Sequence, residues 1–344
     1  MLSTDRSISF LGDSYRQEGF LTYVIYGILF TAALLPDDRQ RRWVVEILVG
    51  CCAFTGILII TEWECFYLEE DLRAAMFHQY NHYGYFLAIC FPLCAGLMLE
   101  KPRNLWLHLL RLGEFWLICN AVAFNSVRGS FLAILAALAG WHIVVAVRHR
   151  DKWKRLLVLD LIFVATILSC NTGSTLLDRF GTLFDQIEEV KQTAPAAVAT
   201  GSPAAGGVAN SAMDNLGSER GLLWRLGVGF AMEKPVFGHG PDNLGHLYEA
   251  YRPGMVDRPH NELIQIAASL GLPALIFYLG GLAGLAGKFF HRFRELSVFQ
   301  IALFASVGSY LVSSLFGNTM YYTTPYFYIL LAFCWQCCME KETV

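Results

Sequence analysis

Apolar residues in this chain run in long, nearly uninterrupted stretches. They show neither the alternation of a half-buried strand nor the narrow stripe of a soluble helix. The stretches fall near 20–35, 43–60, 84–99, 105–124, 129–147, 153–170, 261–287, 297–316 and 321–338. A helix needs roughly 17–25 apolar residues to cross a bilayer. The pattern therefore predicts about nine transmembrane helices, of which the first, sixth and ninth are the shortest. Helices and closed barrels alone satisfy the backbone in hydrocarbon, and stretches of this length are helices. The expected fold class is all-α: a polytopic helical membrane protein with one long loop carrying short helices. The first stretch reads as a span, not a cleaved signal. Its upstream flank mixes Asp5, Arg6, Asp13, Arg16 and Glu18, and Arg39, Arg41 and Arg42 follow it.

Basic residues in the connections orient the spans. Arg39, Arg41, Arg42, Lys101, Arg103, Arg148, Arg150, Lys152, Lys154, Arg155, Lys288, Arg292, Arg294 and Lys341 fall in alternate loops, whereas the opposite short segments hold only Arg6, Arg16, Arg73 and Arg128. The richer set is expected to face the cytoplasm, which places the N-terminus and the long segment 171–260 outside. The chain then divides into N-terminal transmembrane helices (1–170), an extracytoplasmic loop (171–260) and C-terminal transmembrane helices (261–344). Within the loop, Leu176, Leu177, Phe180, Leu183, Phe184, Ile187 and Val190 recur at helical spacing between charges, which predicts an amphipathic helix over 174–190 lying on the membrane. Residues 192–217 are rich in Ala, Gly, Pro, Ser and Thr and read as a flexible linker. A further helix is predicted over 218–234, capped by Ser218 and ended by Pro235, followed by a tight turn at Gly238-His239-Gly240-Pro241.

Composition narrows the function classes. Hydrophobic residues make up 55% of the 344 and charged residues 16%, against about 25% charged in a soluble domain. The net charge of −3 and the absence of a basic face exclude a nucleic-acid binder. The ten cysteines lie mostly inside apolar runs, where free thiols behave as small hydrophobes.

Three residues on the expected outer side carry the candidate chemistry. Arg128 opens the fifth span, Arg220 lies in the first turn of the loop helix, and His260 directly precedes Asn261 at the start of the seventh span. Two of these positions are helix N-termini, which present free N–H groups and partial positive charge. Arginine forks bind phosphate oxygens bidentately. The set suits an anion held at headgroup depth. Singly, each residue has a plainer explanation: Arg128 as an interfacial anchor, Arg220 as a surface residue paired with Glu219 or Asp214, and His260 as a loop histidine.

The surrounding residues are Arg220-(x)3-Trp224, Pro235-Val236-Phe237-Gly238-His239-Gly240, His260-Asn261-Glu262-Leu263-Ile264 and Leu270-Gly271-Leu272-Pro273, with Asn125–Ser130 and Asn81-His82-Tyr83-Gly84 upstream. Over about residues 78–287 this pattern resembles the O-antigen ligase and polymerase superfamily of membrane glycosyltransferases, with fewer N-terminal spans than typical members. The resemblance implies transfer of a glycan from an undecaprenyl-diphosphate carrier to an acceptor hydroxyl of a glycan or glycolipid, on the outer face of a bacterial cytoplasmic membrane. It gives Arg128 and Arg220 the diphosphate and puts His260 at the same site, with Asn261, Trp224, His239 and His82 in support. The leaving group is already a diphosphate, so charge stabilisation suffices and neither cofactor nor metal is required. His260 either accepts the acceptor proton or, if protonated, binds phosphate. In-line attack inverts the anomeric carbon.

Other constellations are weaker. His78 and His82 have i,i+4 spacing near Glu69, Glu70 and Asp71 but lack the glutamate of a zinc-protease helix. Cys334-x-x-Cys337 has no second pair. Glu46 and Arg111 are expected to snorkel from span ends; Glu114 and Asp160 lie deeper and are functional candidates by default, with a pairing to Arg111 as the structural explanation of Glu114. The competing functional classes are a transporter or flippase of lipid-linked glycan, for which the Gly271 break speaks, and a non-catalytic membrane partner in envelope assembly.

Overall fold

A computed structural model describes residues 3–14, 16–62, 72–102, 104–170, 181, 216–251, 254, 257–318 and 321–339. Helix is the only regular structure among them. The α-helices are α1 (Arg6–Leu11), α2 (Phe20–Ala32), α3 (Asp38–Thr61), α4 (Tyr80–Leu99), α5 (Leu105–Asn125), α6 (Arg128–Val147), α7 (Trp153–Cys170), α8 (Leu216–Glu233), α9 (Leu244–Tyr251), α10 (Glu262–Leu270), α11 (Leu272–Arg292), α12 (Val298–Ser314) and α13 (Thr324–Met339). The polytopic helical membrane class is borne out: α3, α4, α5, α6 and α11 are each long and apolar enough to cross a membrane, and α2, α12 and α13 are shorter apolar helices. The expected amphipathic helix over 174–190 and nearly all of the 192–217 linker lie outside the described residues, as do Glu69, Glu70 and Asp71. The loop helix begins at Leu216, two residues before the Ser218 cap expected from the sequence.

The seventh apolar stretch, read as one span, is two helices. α10 stops at Leu270 and α11 starts at Leu272. Gly271 between them has φ +91°, and a Cβ there would stand 2.3 Å from the carbonyl oxygen of Val236. Only glycine lets the two backbones approach so closely at that angle.

The chain forms two compact units. One comprises Leu21–Gly173, Tyr278–Ser314 and Thr319–Val344 and is built around α4. That helix carries no charged residue, and every residue from His82 to Leu99 is buried. α3, α5, α6 and α12 pack against it. Because lipid is as apolar as leucine, close packing and interhelical hydrogen bonds hold such a bundle together. Both are present. A Cβ on Gly96 would fall 2.3 Å from Ala302 Cβ and 3.0 Å from the Trp141 ring, and one on Gly56 would fall 2.6 Å from Leu117 O. Tyr83 Oη meets Thr55 Oγ1 at 2.7 Å, and Ser306 donates to Ile89 O at 2.7 Å. Arg111 does not snorkel. Its side chain is buried and donates to Leu97 O (3.0 Å) and Glu46 (3.0 Å), so the carboxylate that answers it across α3 and α5 is Glu46.

The other unit comprises Met1–Phe20, Ser174–Phe277 and Leu315–Asn318. Its core is Leu223, Ala231, Leu244, Tyr248, Ala267 and Ala268 from α8, α9 and α10. The turn Gly238–Gly240 lies along the end of α10: His239 N donates to Ala268 O and Gly240 N to Ser269 O, both at 2.9 Å. Gly238 and Gly240 have φ of +64° and +98°, and a Cβ on Gly238 would meet Ser269 carbonyl atoms at 2.4 Å. The first glycine of the Pro-x-x-Gly-x-Gly spacing is thus a packing requirement of the α10–α11 break, and the second one of the contact with Ser3 and Ser9.

Gly96→Ala is expected to lose on the order of 1–3 kcal/mol by overpacking. Gly280→Ala, where a Cβ meets nothing within 4 Å, is expected to be neutral or slightly stabilising by helix propensity. Thermal unfolding in detergent separates the two; equal midpoints would discount the packing role of Gly96.

Candidate active site

Arg220 and His260 lie in the same unit, joined by the contact of α8 with the segment before α10. A Cβ on Gly227 of α8 would fall 2.6 Å from Ile264 Cγ2, 2.9 Å from Tyr248 Oη and 3.2 Å from Pro259 Cβ. The missing side chain brings α8 onto Pro259 and Ile264, on either side of His260. Tyr248 locks the same junction from α9, donating to Leu223 O at 2.9 Å. Arg220 lies two turns before Gly227 and is half-buried; Trp224, one turn on, lies on the same face. Its indole Nε1 is buried without a hydrogen-bond partner among the described residues.

His260 occupies the left-handed region, with φ +50°. A non-glycine residue there costs on the order of 1–2 kcal/mol. Such strain persists where the flanking chain is over-determined, and it clusters at functional sites. Both flanks are fixed here. After His260, the Asn261 side chain accepts from Ile264 N at 3.1 Å as the α10 N-cap and donates to Leu315 O at 3.2 Å. The α10 N-terminus, expected from the sequence to offer amides to an anion, thus has one taken by Asn261. Before His260, the Arg258 guanidinium is buried against Glu18 (2.6 Å) and Asp242.

His260 as a whole is half-buried. Asn318 Nδ2 lies 3.4 Å from its Nδ1. Burial, then the positive charge of Arg220, pushes the His260 pKa down to about 4, and Arg16 and Arg258 act in the same sense against Asp257. His260 is therefore neutral at physiological pH. Burial works against the Asp257 carboxylate, but the Arg16 fork (2.7 and 2.8 Å) and Arg258 hold it below the usual range.

A cavity of about 200 Å3 lies beside these ion pairs, lined by Asp13, Arg16, Asp242, Glu249, Asp257 and Arg258 among others. Its carboxylates outnumber its guanidiniums, so it repels a diphosphate. Arg220 is the charge that acts most strongly on His260.

The remaining sequence-derived candidates divide by role. His239 is buried, donates through Nε2 to Phe230 O (3.0 Å) and packs edge-on against that ring; burial lowers its pKa. These contacts tie the turn to α8. Arg128 and His82 belong to the unit built on α4. Arg128 is the first residue of α6, half-buried, after a turn in which Ser126 has φ +54°. Asn125 sets that turn by donating to Arg73 O (2.9 Å) and Tyr80 O (2.7 Å). The α6 N-cap, Val127, supplies no side-chain acceptor to the first amides. Gly84 makes room for the turn, since a Cβ there would meet Ser130 Oγ, Asn125 Oδ1 and Val127 Cβ within about 3 Å. His82 is buried, its ring centroid 4.9 Å from that of Tyr322. His78 precedes α4, so it and His82 do not form a helical i,i+4 pair. Among the described residues, no group of three His, Cys, Asp or Glu is arranged to hold a metal.

Asn318, Arg16, Glu18, Asp242 and Arg258 carry no signal in the sequence as site residues. The only local hint is their type: Asn318 is polar beside an apolar stretch, and Arg258 abuts Pro259-His260.

Gly227→Ala is expected to push α8 off Pro259 and Ile264. Glycan transfer should fall by at least an order of magnitude while the protein still inserts, whereas Gly229→Ala, with open space around it, should be silent. Equal transfer by both variants would remove the role given to this contact.

A family model described as O-antigen ligase matches residues 114–279. That range includes Arg128, Arg220, Trp224, His239, His260 and Asn261, leaves His82 outside, and bears out the resemblance read from the motifs. No curated protein matches the chain.

Proposed function

Taking the chain as a member of the O-antigen ligase and polymerase superfamily of membrane glycosyltransferases, we propose that it transfers a glycan from an undecaprenyl-diphosphate carrier to an acceptor hydroxyl. The reaction takes place on the outer face of a bacterial cytoplasmic membrane, without a metal. The observation that carries this reading is the left-handed turn at His260, fixed by the Asn261 cap and packed through Gly227 against the helix that carries Arg220 and Trp224; burial and the charge of Arg220 keep its imidazole neutral. A neutral imidazole is a base in waiting, and it leaves the cationic role to arginine.

The chemistry follows from that division. The acceptor oxygen attacks the anomeric carbon opposite the diphosphate. The new C–O bond forms as the bond to the diphosphate oxygen breaks, and the electron pair leaves with the diphosphate. The hydroxyl proton passes to His260. Asn318 lies against Nδ1; with its amide turned so that Oδ1 accepts from Nδ1–H, Nε2 holds the lone pair that meets the hydroxyl. Arg220 stabilises the charge that builds on the diphosphate, with the Trp224 N–H as a neutral donor on the same helix face. Arg128 and the first amides of α6 give a second set of donors of the same kind. Backside displacement inverts the anomeric centre. Ligase and polymerase chemistries share every one of these residues.

Two results test the proposal. His260→Ala is expected to lower kcat by on the order of 10²–10⁴-fold, the worth of a positioned base. Arg128→Ala and Arg220→Ala each should lower it by about 10²–10³-fold, the worth of one electrostatic donor. Turnover should survive EDTA. Full transfer by all three variants would refute the assignment, and turnover abolished by EDTA and restored by a divalent ion would refute the metal-free mechanism.

The second test is the pH profile. A histidine with a depressed folded pKa stays in its basic form down to that pKa. The acid limb of kcat/KM, which reports the free enzyme, should therefore lie near pH 4 instead of near 6.5. Stability moves in the opposite sense. Between pH 6.5 and about 4 the unfolded chain takes up a proton that the folded chain refuses, so folding weakens as pH falls through that window. In the donor complex the diphosphate favours imidazolium, and the limb of kcat should move to higher pH. A free-enzyme limb at 6.5 would contradict the burial of His260.

A further inference from the structure

The segment preceding the first span is built into the unit that carries His260. Ser3 and Ser9 both meet Asn243, with Asn243 Nδ2 donating to Ser9 Oγ at 2.6 Å and to Ser3 Oγ at 3.3 Å. Thr4 N donates to His239 O at 3.1 Å. Asp242 Oδ2 accepts from the amides of Asp13 (2.7 Å) and Glu18 (3.1 Å), while its other oxygen meets Arg258. Glu18, itself buried, closes on Arg258 at 2.6 Å, and Arg16 grips Asp257 with both arms of its fork. The Glu18–Arg258 and Arg16–Asp257 pairs end two and three residues before the left-handed turn at His260.

We propose that this N-terminal segment is a working part of the catalytic unit, in which Arg16 and Glu18 are positioning residues that hold His260 through Asp257 and Arg258. An ordinary backbone would relax out of φ +50°. Asn261 anchors the turn on one side through the α10 cap. On the other side the anchor is Arg258, and its charge is answered by a carboxylate from the N-terminal segment and one from the turn after α8. Pro259 transmits the constraint because its ring fixes φ. The N-terminal segment thereby sets where the imidazole stands without touching a reactant.

Arg258 and Glu18 are too deeply buried for clean substitution, so the test uses the more accessible pair. Arg16→Gln and Asp257→Asn are compared with the exchanged pair, Arg16→Asp with Asp257→Arg, in the full chain. Transfer is read as the host's glycoconjugate at matched protein level. The single variants are expected to lose at least tenfold in kcat with KM little changed, and the exchanged pair to recover most of that loss.

The inference rests on the reading of His260 as base, so a second measurement is independent of turnover. Titration of 13C-labelled histidine in the purified protein, with the His260 signal assigned by His260→Gln, follows the ring itself. Arg220, Arg16, Arg258 and Asp257 are the charges that face it. Removing Arg16 should raise the midpoint and removing Asp257 should lower it. Single variants that match the wild type in both transfer and midpoint would overturn the proposal. So would an exchanged pair that folds but transfers no better than either single variant. Unimpaired transfer by His260→Gln would instead remove the base, while the titration still decides whether the segment positions the ring.

Discussion

Burial of the Arg258 guanidinium is the constraint on which the site's geometry depends. A buried, unanswered charge of this kind destabilises a fold by about 3–5 kcal/mol when one partner is removed. The chain answers it twice, with Glu18 from the N-terminal segment and Asp242 from the turn after α8. Burial alone would lower the guanidinium pKa, but Glu18, Asp242 and Asp257 raise it above its ordinary value. Meeting that demand brings three separate stretches of sequence to one place, and the residue two positions further on is His260. The strained backbone there is tolerable because its neighbours have no freedom to relieve it.

The same charges divide the chemical labour. Arg16 and Arg258 are matched by carboxylates and act structurally. Arg220 lies near the imidazole and is the largest electrostatic influence on it. A base that must stay unprotonated gains from a nearby guanidinium, and a diphosphate leaving group needs one. In the proposed reaction one cation serves both roles: it depresses the imidazole pKa in the free protein and stabilises the departing diphosphate. The acidic cavity beside the ion pairs is correspondingly unsuited to the diphosphate.

Glycine does much of the positioning in both units. Gly56 and Gly96 let helices of the α4-centred bundle touch backbone to backbone or backbone to side chain. Such contact is what remains to hold helices together when the surroundings are as apolar as the interior. Gly227, Gly238 and Gly271 do the equivalent work around His260. Of the turn glycines of the Pro-x-x-Gly-x-Gly pattern, Gly238 lets the chain approach Ser269 at the α10–α11 break and Gly240 lets it approach Ser3 and Ser9 of the N-terminal segment. His239, between two of them, belongs to that packing.

The helical class and the membrane-spanning helices were legible because hydrocarbon solvent leaves a chain few choices: a long apolar run must be a helix, and its ends fall where charges begin. The apolar runs around α4, α5, α6 and α12 lie within a few residues of the helices themselves. The motif resemblance carried by Arg220, Trp224, His260 and Asn261 was likewise legible, since motif spacing survives in one dimension. What sequence alone left undecided depends on residues far apart in the chain. Glu18 and Arg258 are 240 positions apart, and nothing local marks either as the other's counter-ion. Glu46 displaced Glu114 as the partner of Arg111 because pairing is set by which helix faces pack. The proton affinity of His260 was equally closed to composition, because it is set by burial and by the charge of Arg220, and both act on it only once the chain has folded.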